Sequence, residues 1–106
     1  MSRESGSAAF WDAAAPLLAD ELISEGTIMG GPCVRAGKEF VGMPHHKGPG
    51  IVVKLSRDRV EAMIADGYGK PFAPAGKVFR EWVLVTDFTD DQGEALLRES
   101  VAFVSR

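Results

Sequence analysis

Alternating and helical spacings of apolar residues along the chain predict short strands set among three helices. The segment Val78-Phe79-Arg80-Glu81-Trp82-Val83-Leu84-Val85 is the longest run rich in β-branched and aromatic residues, the types that pack well on a pleated surface. At period two, Val78, Arg80, Trp82 and Leu84 share one face, and Phe79, Glu81, Val83 and Val85 share the other. Neither face is polar, which predicts a central strand covered on both sides, or one in a sheet that curls around its core. Ile51-Val52-Val53-Lys54-Leu55 is a second strand, with Ile51, Val53 and Leu55 on one face and Val52 and Lys54 on the other.

Helical spacing appears three times. Trp11, Ala14 or Ala15, Leu18 and Leu22 recur at three- and four-residue steps, with Phe10, Leu17 and Ile23 beside them. Pro16 is tolerated only near a helix start, so this pattern predicts a helix from Asp12 or Ala13 to Ser24. Phe10 and Trp11 would pack at its entrance, and Gly26 would stop it. Ser56 is placed to cap a helix from Arg57 to Asp66, with Val60, Met63 and Ile64 as its apolar stripe and Gly67 as its stop. Thr89-Asp90-Asp91-Gln92 matches a capping box. The helix it opens runs to about Phe103 and buries Ala95, Leu96 or Leu97, and Val101.

Between the first two helices lie Thr27-Ile28-Met29, Pro32 to Ala36 and Glu39 to Met43. Gly37-Lys38 suits a tight hairpin turn, so these runs predict an antiparallel meander. Pro44 to Gly50 is a turn-rich connection, and Tyr68 to Lys77 is an irregular link anchored by Phe72. The expected fold is α+β: an antiparallel curled sheet of about five strands, flanked by an N-terminal, a middle and a C-terminal helix. Residues 1–7 read as a flexible lead and residues 8–106 as one domain, since 106 residues support a single core.

Composition narrows the function. Twelve Lys and Arg against fifteen Asp and Glu leave a net charge of −3, which disfavours non-specific nucleic-acid binding, because that needs clustered positive charge. Hydrophobic residues make up 45%, in the range of folded globular proteins. One cysteine, Cys33, has no internal disulfide partner, which fits a reducing cytoplasm. No apolar run is long enough to span a membrane, and the first residues lack the apolar core of a signal peptide.

Candidate chemistry is sparse. His45, His46 and Cys33 are the metal candidates, but adjacent histidines project apart and no Cys-x-x-Cys or His-x-x-x-His spacing supports them. Cys33 reads as a small buried thiol rather than a nucleophile. Asp87, Asp90 and Asp91 read as helix capping, and Gly67-Tyr68-Gly69-Lys70 lacks the strand-to-helix context of a dinucleotide fingerprint. Lys54, Lys77, Arg80 and Glu81 stand in or beside otherwise apolar strands. An arginine beside Trp82 can bind an anion, stack on the ring or pair with a carboxylate. No nucleophile, base and stabiliser come together, so no enzyme and no cofactor is expected.

Five stretches occur in an order that resembles the TfoX N-terminal domain family: Met29-Gly30-Gly31, Gly37-Lys38-Glu39-Phe40, Val53-Lys54-Leu55, Pro71 to Lys77, and Arg80-Glu81-Trp82-Val83. The family's Met-Phe-Gly-Gly turn lacks its phenylalanine here, and the Pro44 to Gly50 connection is longer. The chain is similar, more loosely, to the YjbR group and its CyaY-like fold. The resemblance implies a stand-alone N-terminal-type domain without the second domain of the competence regulators, and it brings no catalytic residues.

The expected function is a non-catalytic binding or regulatory module in the cytoplasm, acting on an unknown protein partner or by self-association. The alternatives are a small-anion or nucleic-acid site at Lys54, Lys77 and Arg80 beside Trp82, and weak metal binding at the His45-His46 loop.

Overall fold

The computed structural model describes residues 5–45 and 49–105. In chain order these form helix α1 (Ser5–Ala14), a 3-10 turn (Leu17–Ala19), strands β1 (Ile23–Ile28), β2 (Gly31–Ala36), β3 (Glu39–Pro44) and β4 (Ile51–Lys54), helix α2 (Arg57–Ala65), strands β5 (Lys70–Pro71) and β6 (Trp82–Val85), and helix α3 (Asp90–Val104). The fold is α+β. Its strands make one six-stranded sheet in the order β1-β2-β3-β4-β6-β5, with every neighbouring pair antiparallel. The count exceeds the expected five because the two-residue β5 adds an edge beyond β6.

The N-terminal third departs most from its expected form. Pro16 has no N–H to return to the preceding turn, and its ring crowds that turn. The helix therefore lies before the proline rather than after it: α1 starts at Ser5, inside the expected lead, and its last bond runs from the Ala15 N–H to the Trp11 carbonyl at 2.9 Å. From Ile23 the chain is extended and pairs with β2, Ile23 opposite Ala36. Leu22, expected on the apolar stripe of a helix, is 72% exposed. Gly26 lies inside β1, and a Cβ there would stand 2.8 Å from Arg35 Nε. The bare backbone makes room for Arg35 to donate to the Thr27 carbonyl at 2.8 Å, which occupies one acceptor of this edge strand.

Local signals elsewhere form the elements they predict. Ala36 pairs with Glu39 across the Gly37-Lys38 loop. The Ser56 side chain accepts from the Arg59 N–H, and α2 buries Val60 and Met63. The Thr89 capping box is complete at both of its bonds, 3.1 Å from the Gln92 N–H to Thr89 Oγ1 and 2.9 Å from the Thr89 N–H to Gln92 Oε1. Helix α3 buries Leu96 and Leu97, whereas Ala95 is exposed. Among the described residues no helix is long and apolar enough to cross a membrane.

The core lies on one side of the sheet. Phe10, Ala13, Ala14 and Leu17 from the N-terminal region, Val60 and Met63 from α2, and Leu96 and Leu97 from α3 pack with Val34, Ile51, Val53, Val83 and Val85 of the strands. A β-bulge adjusts β3 to this face. Val34 pairs with Gly42 but Arg35 with Phe40, so Val41 is the additional residue. The bulge directs both Val41 and Gly42 to the helices, where a Cβ on Gly42 would meet Leu97 at 2.8 Å. Ser100 of α3 is fully buried and donates to the Val41 carbonyl at 3.0 Å. Ser100→Ala is expected to cost about 1–2 kcal/mol in urea unfolding, because that carbonyl loses its donor inside the core.

Only the second half of the expected eight-residue strand is in the sheet. Val83 and Val85 face the helices, and Trp82 and Leu84 face the other way, with β4 and β5 on either side. Residues 78–80 leave the ladder, while the Glu81 carbonyl still accepts from the Leu55 N–H at 2.9 Å. The Phe79 N–H bonds back to the Phe72 carbonyl at 3.0 Å and the Trp82 N–H to the Phe79 carbonyl at 3.1 Å. Packing Phe79 onto Phe72 and Trp82 is what bends the chain here, and Val78 is left 51% exposed.

Candidate functional site

The sheet face turned away from the helices is covered by one stretch of chain, the link between α2 and β6. Cys33, Phe40, Met43, Val52 and Phe72 are buried on it, with Ile28, Phe79, Trp82 and Leu84 packed against them. The aromatic rings are ordered. Trp82 lies parallel to Phe40 at 4.3 Å between centroids and parallel to Phe72 at 5.6 Å, while Phe79 meets both Phe72 and Trp82 edge-on. Offset and edge-to-face pairs of this kind each contribute about 0.5–1.5 kcal/mol beyond burial. The result is a fixed wall carrying Phe72, the residue expected to anchor the link.

Beside that wall lies a groove of about 490 Å³, lined by Met29, His45, Pro71, Phe72, Ala73, Pro74 and Leu84. Strand ends position it. Continuing the β2–β3 register beyond Val34 and Gly42 would set Pro32 opposite Pro44, and neither has an N–H to extend the ladder. Pairing stops there. Met29, at the tip of the β1–β2 turn, His45, just after β3, and Pro71 to Pro74 of the link line the groove. His45 meets the Phe72 ring edge-on at 6.4 Å, and its Nδ1 lies 3.3 Å from the Pro49 carbonyl oxygen.

Met29 is unusual in its backbone. It has φ +52° and Gly30 has φ +78°, the pair of positive values that defines a type I′ hairpin turn. Asn and Gly are the favoured residues at such a turn, and a left-handed conformation costs an ordinary L-residue about 1–2 kcal/mol. Met29 is also 50% exposed, so the core does not require its side chain. Met29→Asn is expected to stabilise the protein by about 0.5–1 kcal/mol in chemical denaturation.

The polar candidates are distributed rather than assembled. Lys54 is in register with Trp82 but lines a recess with Glu39, Glu81, Phe103 and Val104. Lys77 and Arg80 line a different, shallow hollow with Val78, Phe79, Glu81 and Trp82. Arg80 is exposed at a turn, not half-buried on a strand, so it has no burial cost that a partner must offset. His46 lies outside the described residues. Among the described residues no three His, Cys, Asp or Glu side chains are grouped to hold a metal ion. Cys33 is a free thiol buried beneath the aromatic cluster. Asp90 and Asp91 occupy the first turn of α3, where its dipole favours negative charge. On the helix side, burial raises the Tyr68 phenol above its usual range, with Asp87 adding to this and Arg59 opposing it.

Sequence reasoning named His45 and Phe72 and missed the other groove residues. One signal was present: a methionine at the first loop position of a Met-Gly hairpin turn, where asparagine is the usual choice. Leu84 could not have been singled out, because its strand position is equally suited to plain packing.

Comparisons with family models, with curated proteins and with solved structures return no match for this chain.

Proposed function

We propose that this protein is a non-catalytic binding or regulatory module of the cytoplasm, a domain of the TfoX N-terminal kind, that takes its ligand in the groove on the helix-free face. The observation that carries this reading is the groove itself. Its volume of about 490 Å³ falls in the range of small-molecule sites, about 300–1,000 Å³, and such sites are mostly apolar with a few placed polar groups. Among the described lining residues the polar side chain is His45, and the wall is held in place by stacked rings. The buried, free Cys33 suits a reducing compartment. The anion reading has less support, since Lys54 shares its recess with two glutamates, Glu39 and Glu81.

Ala73→Arg tests it. Ala73 is exposed on the groove wall, so the substitution fills the groove with little effect on folding, within about 0.5 kcal/mol. In a fragment screen followed by methyl NMR, hits are expected to shift Met29 and Leu84, and these shifts are expected to vanish in Ala73→Arg. Hits that cluster on the helix side, or no hits at all, would overturn the reading.

A further inference from the structure

We infer that the groove accepts a small, neutral aromatic molecule carrying one N–H or O–H donor, of the phenol or indole type, and that this donor bonds to Nε2 of His45. The inference rests on the groove being the binding site.

Charge decides the first property. Among the described residues, the groove lining contains no Asp, Glu, Lys or Arg side chain. A charged ligand would lose its hydration there without a compensating partner, which is costly in an apolar site. A neutral ligand has no such cost.

The donor follows from the histidine. Nδ1 faces the Pro49 carbonyl oxygen at 3.3 Å, and a carbonyl oxygen only accepts, so the hydrogen bond places the proton on Nδ1. In the neutral ring the other nitrogen, Nε2, is then an acceptor. Among the described lining residues the side-chain nitrogen acceptor is therefore His45, and it calls for one donor on the ligand.

Shape and surface select a flat ring. The Phe72 ring is held parallel to Trp82 and met edge-on by Phe79 and His45, so it is set before any ligand arrives. Pro71 and Pro74 add flat apolar surfaces. The Met29 thioether, also in the lining, is a soft group that contacts aromatic rings favourably and adapts to their outline. Its left-handed backbone, at φ +52°, keeps an exposed methionine at the groove mouth at a cost in stability. Strain retained at a ligand-facing position is a mark of function.

A bound peptide strand fits less well. The adjoining edge, β5, is two residues long and includes Pro71, which has no N–H. An added strand needs a row of main-chain donors and acceptors. The occupant is therefore a free small molecule.

The test uses the full chain with 4-methylphenol, toluene, benzoate and a blocked tyrosine-containing peptide, read by methyl NMR at Met29 and Leu84. 4-Methylphenol is expected to bind about tenfold more tightly than toluene, the ratio for one net hydrogen bond. Benzoate is expected to bind more weakly than either. His45→Phe keeps an edge-on ring against Phe72 and is expected to bring 4-methylphenol down to the affinity of toluene for the same variant. A readout without any substitution is the imidazole nitrogen spectrum, in which 4-methylphenol should shift Nε2 far more than Nδ1. Met29→Asn is expected to weaken both aromatic ligands several-fold while raising stability, a pairing that a purely structural role would not produce. Equal binding of toluene and 4-methylphenol, tighter binding of benzoate, a preference that survives His45→Phe, or binding of the peptide alone would each overturn the inference. If toluene binds without any such preference, the groove remains the binding site and only the donor assignment fails. If no probe moves Met29 or Leu84, both fail.

Discussion

Gly50→Ala is expected to destabilise the protein by about 4 kcal/mol, the largest effect of any substitution proposed here. Gly50 has φ +112°, a region that only glycine occupies without strain, and the conformational term alone is about 1–3 kcal/mol. Space makes it worse. A Cβ would lie 2.6 Å from the Val85 carbonyl oxygen and 3.1 Å from the Thr86 Cα. These are backbone atoms next to the Ile51–Val85 pair of the central sheet, so no side-chain rotation relieves the contact, and overpacking adds about 1–3 kcal/mol. The midpoint in a thermal melt should fall by about 15 °C. The same glycine closes the β3–β4 loop, since the His45 N–H bonds to the Gly50 carbonyl at 3.0 Å. A folded fraction of the variant should therefore show His45 displaced from Phe72. An alanine variant as stable as the parent would mean that the β3–β4 connection is placed differently.

Trp82→Ala ranks second, with an expected loss of about 3 kcal/mol. Full truncation of a core aromatic costs about 3–5 kcal/mol, and the lower end applies because Trp82 is only half-buried. It is nevertheless the ring that Phe40, Phe72 and Phe79 all contact, and without it those pair terms are lost together. The consequence reaches the groove, because Phe72 would lose its parallel partner. Trp82→Phe, which preserves a stacked ring, is expected to cost about 1 kcal/mol and to leave the groove intact. Urea unfolding measures the first difference, and the chemical shifts of the Leu84 methyls measure the second. Equal losses for the two variants would show that volume, not ring stacking, supports this wall.

The parts of the fold that were legible in the sequence are those set by a few neighbouring residues. Ser56 and Thr89 announce helix starts because a side-chain oxygen meets a backbone N–H three residues on. Gly37-Lys38 announces a hairpin because the turn depends on its own backbone angles. Phe72 could be picked out as the anchor of a link otherwise rich in glycine, proline and alanine. The 16–25 region misled for a related reason. Leu18, Leu22 and Ile23 have helical spacing, yet Pro16 stops the helix, and Ile23 finds a strand partner in Ala36, which is remote in sequence. The Val78–Val85 run misled in the same way. Its composition suits a strand throughout, but Phe79 is drawn to Phe72 and Trp82, and the first three residues turn away from β4.

The candidate site was less legible than the fold. Lys54, Lys77 and Arg80 stood out as charges among apolar neighbours, and sequence spacing could not show that Lys54 would join Glu39 and Glu81 in a recess apart from the other two. The groove escaped notice because its residues look ordinary one at a time. Met29, His45, Phe72 and Leu84 come from four separate stretches and meet only when β1–β2, β3 and β6 align at one end of the sheet.

By itself, then, the sequence determined the α+β class, the two capped helices α2 and α3, the β2–β3 hairpin and the apolar stock from which both faces are built. These depend on capping, turn geometry and periodicity, which act over a few residues. Tertiary structure alone decided that β1 is a strand, that the Val78–Val85 run is half strand and half turn, and that the helix-free face holds a groove beside stacked rings. Each of those outcomes is a competition between contacts distant along the chain, and such contacts have no local signature.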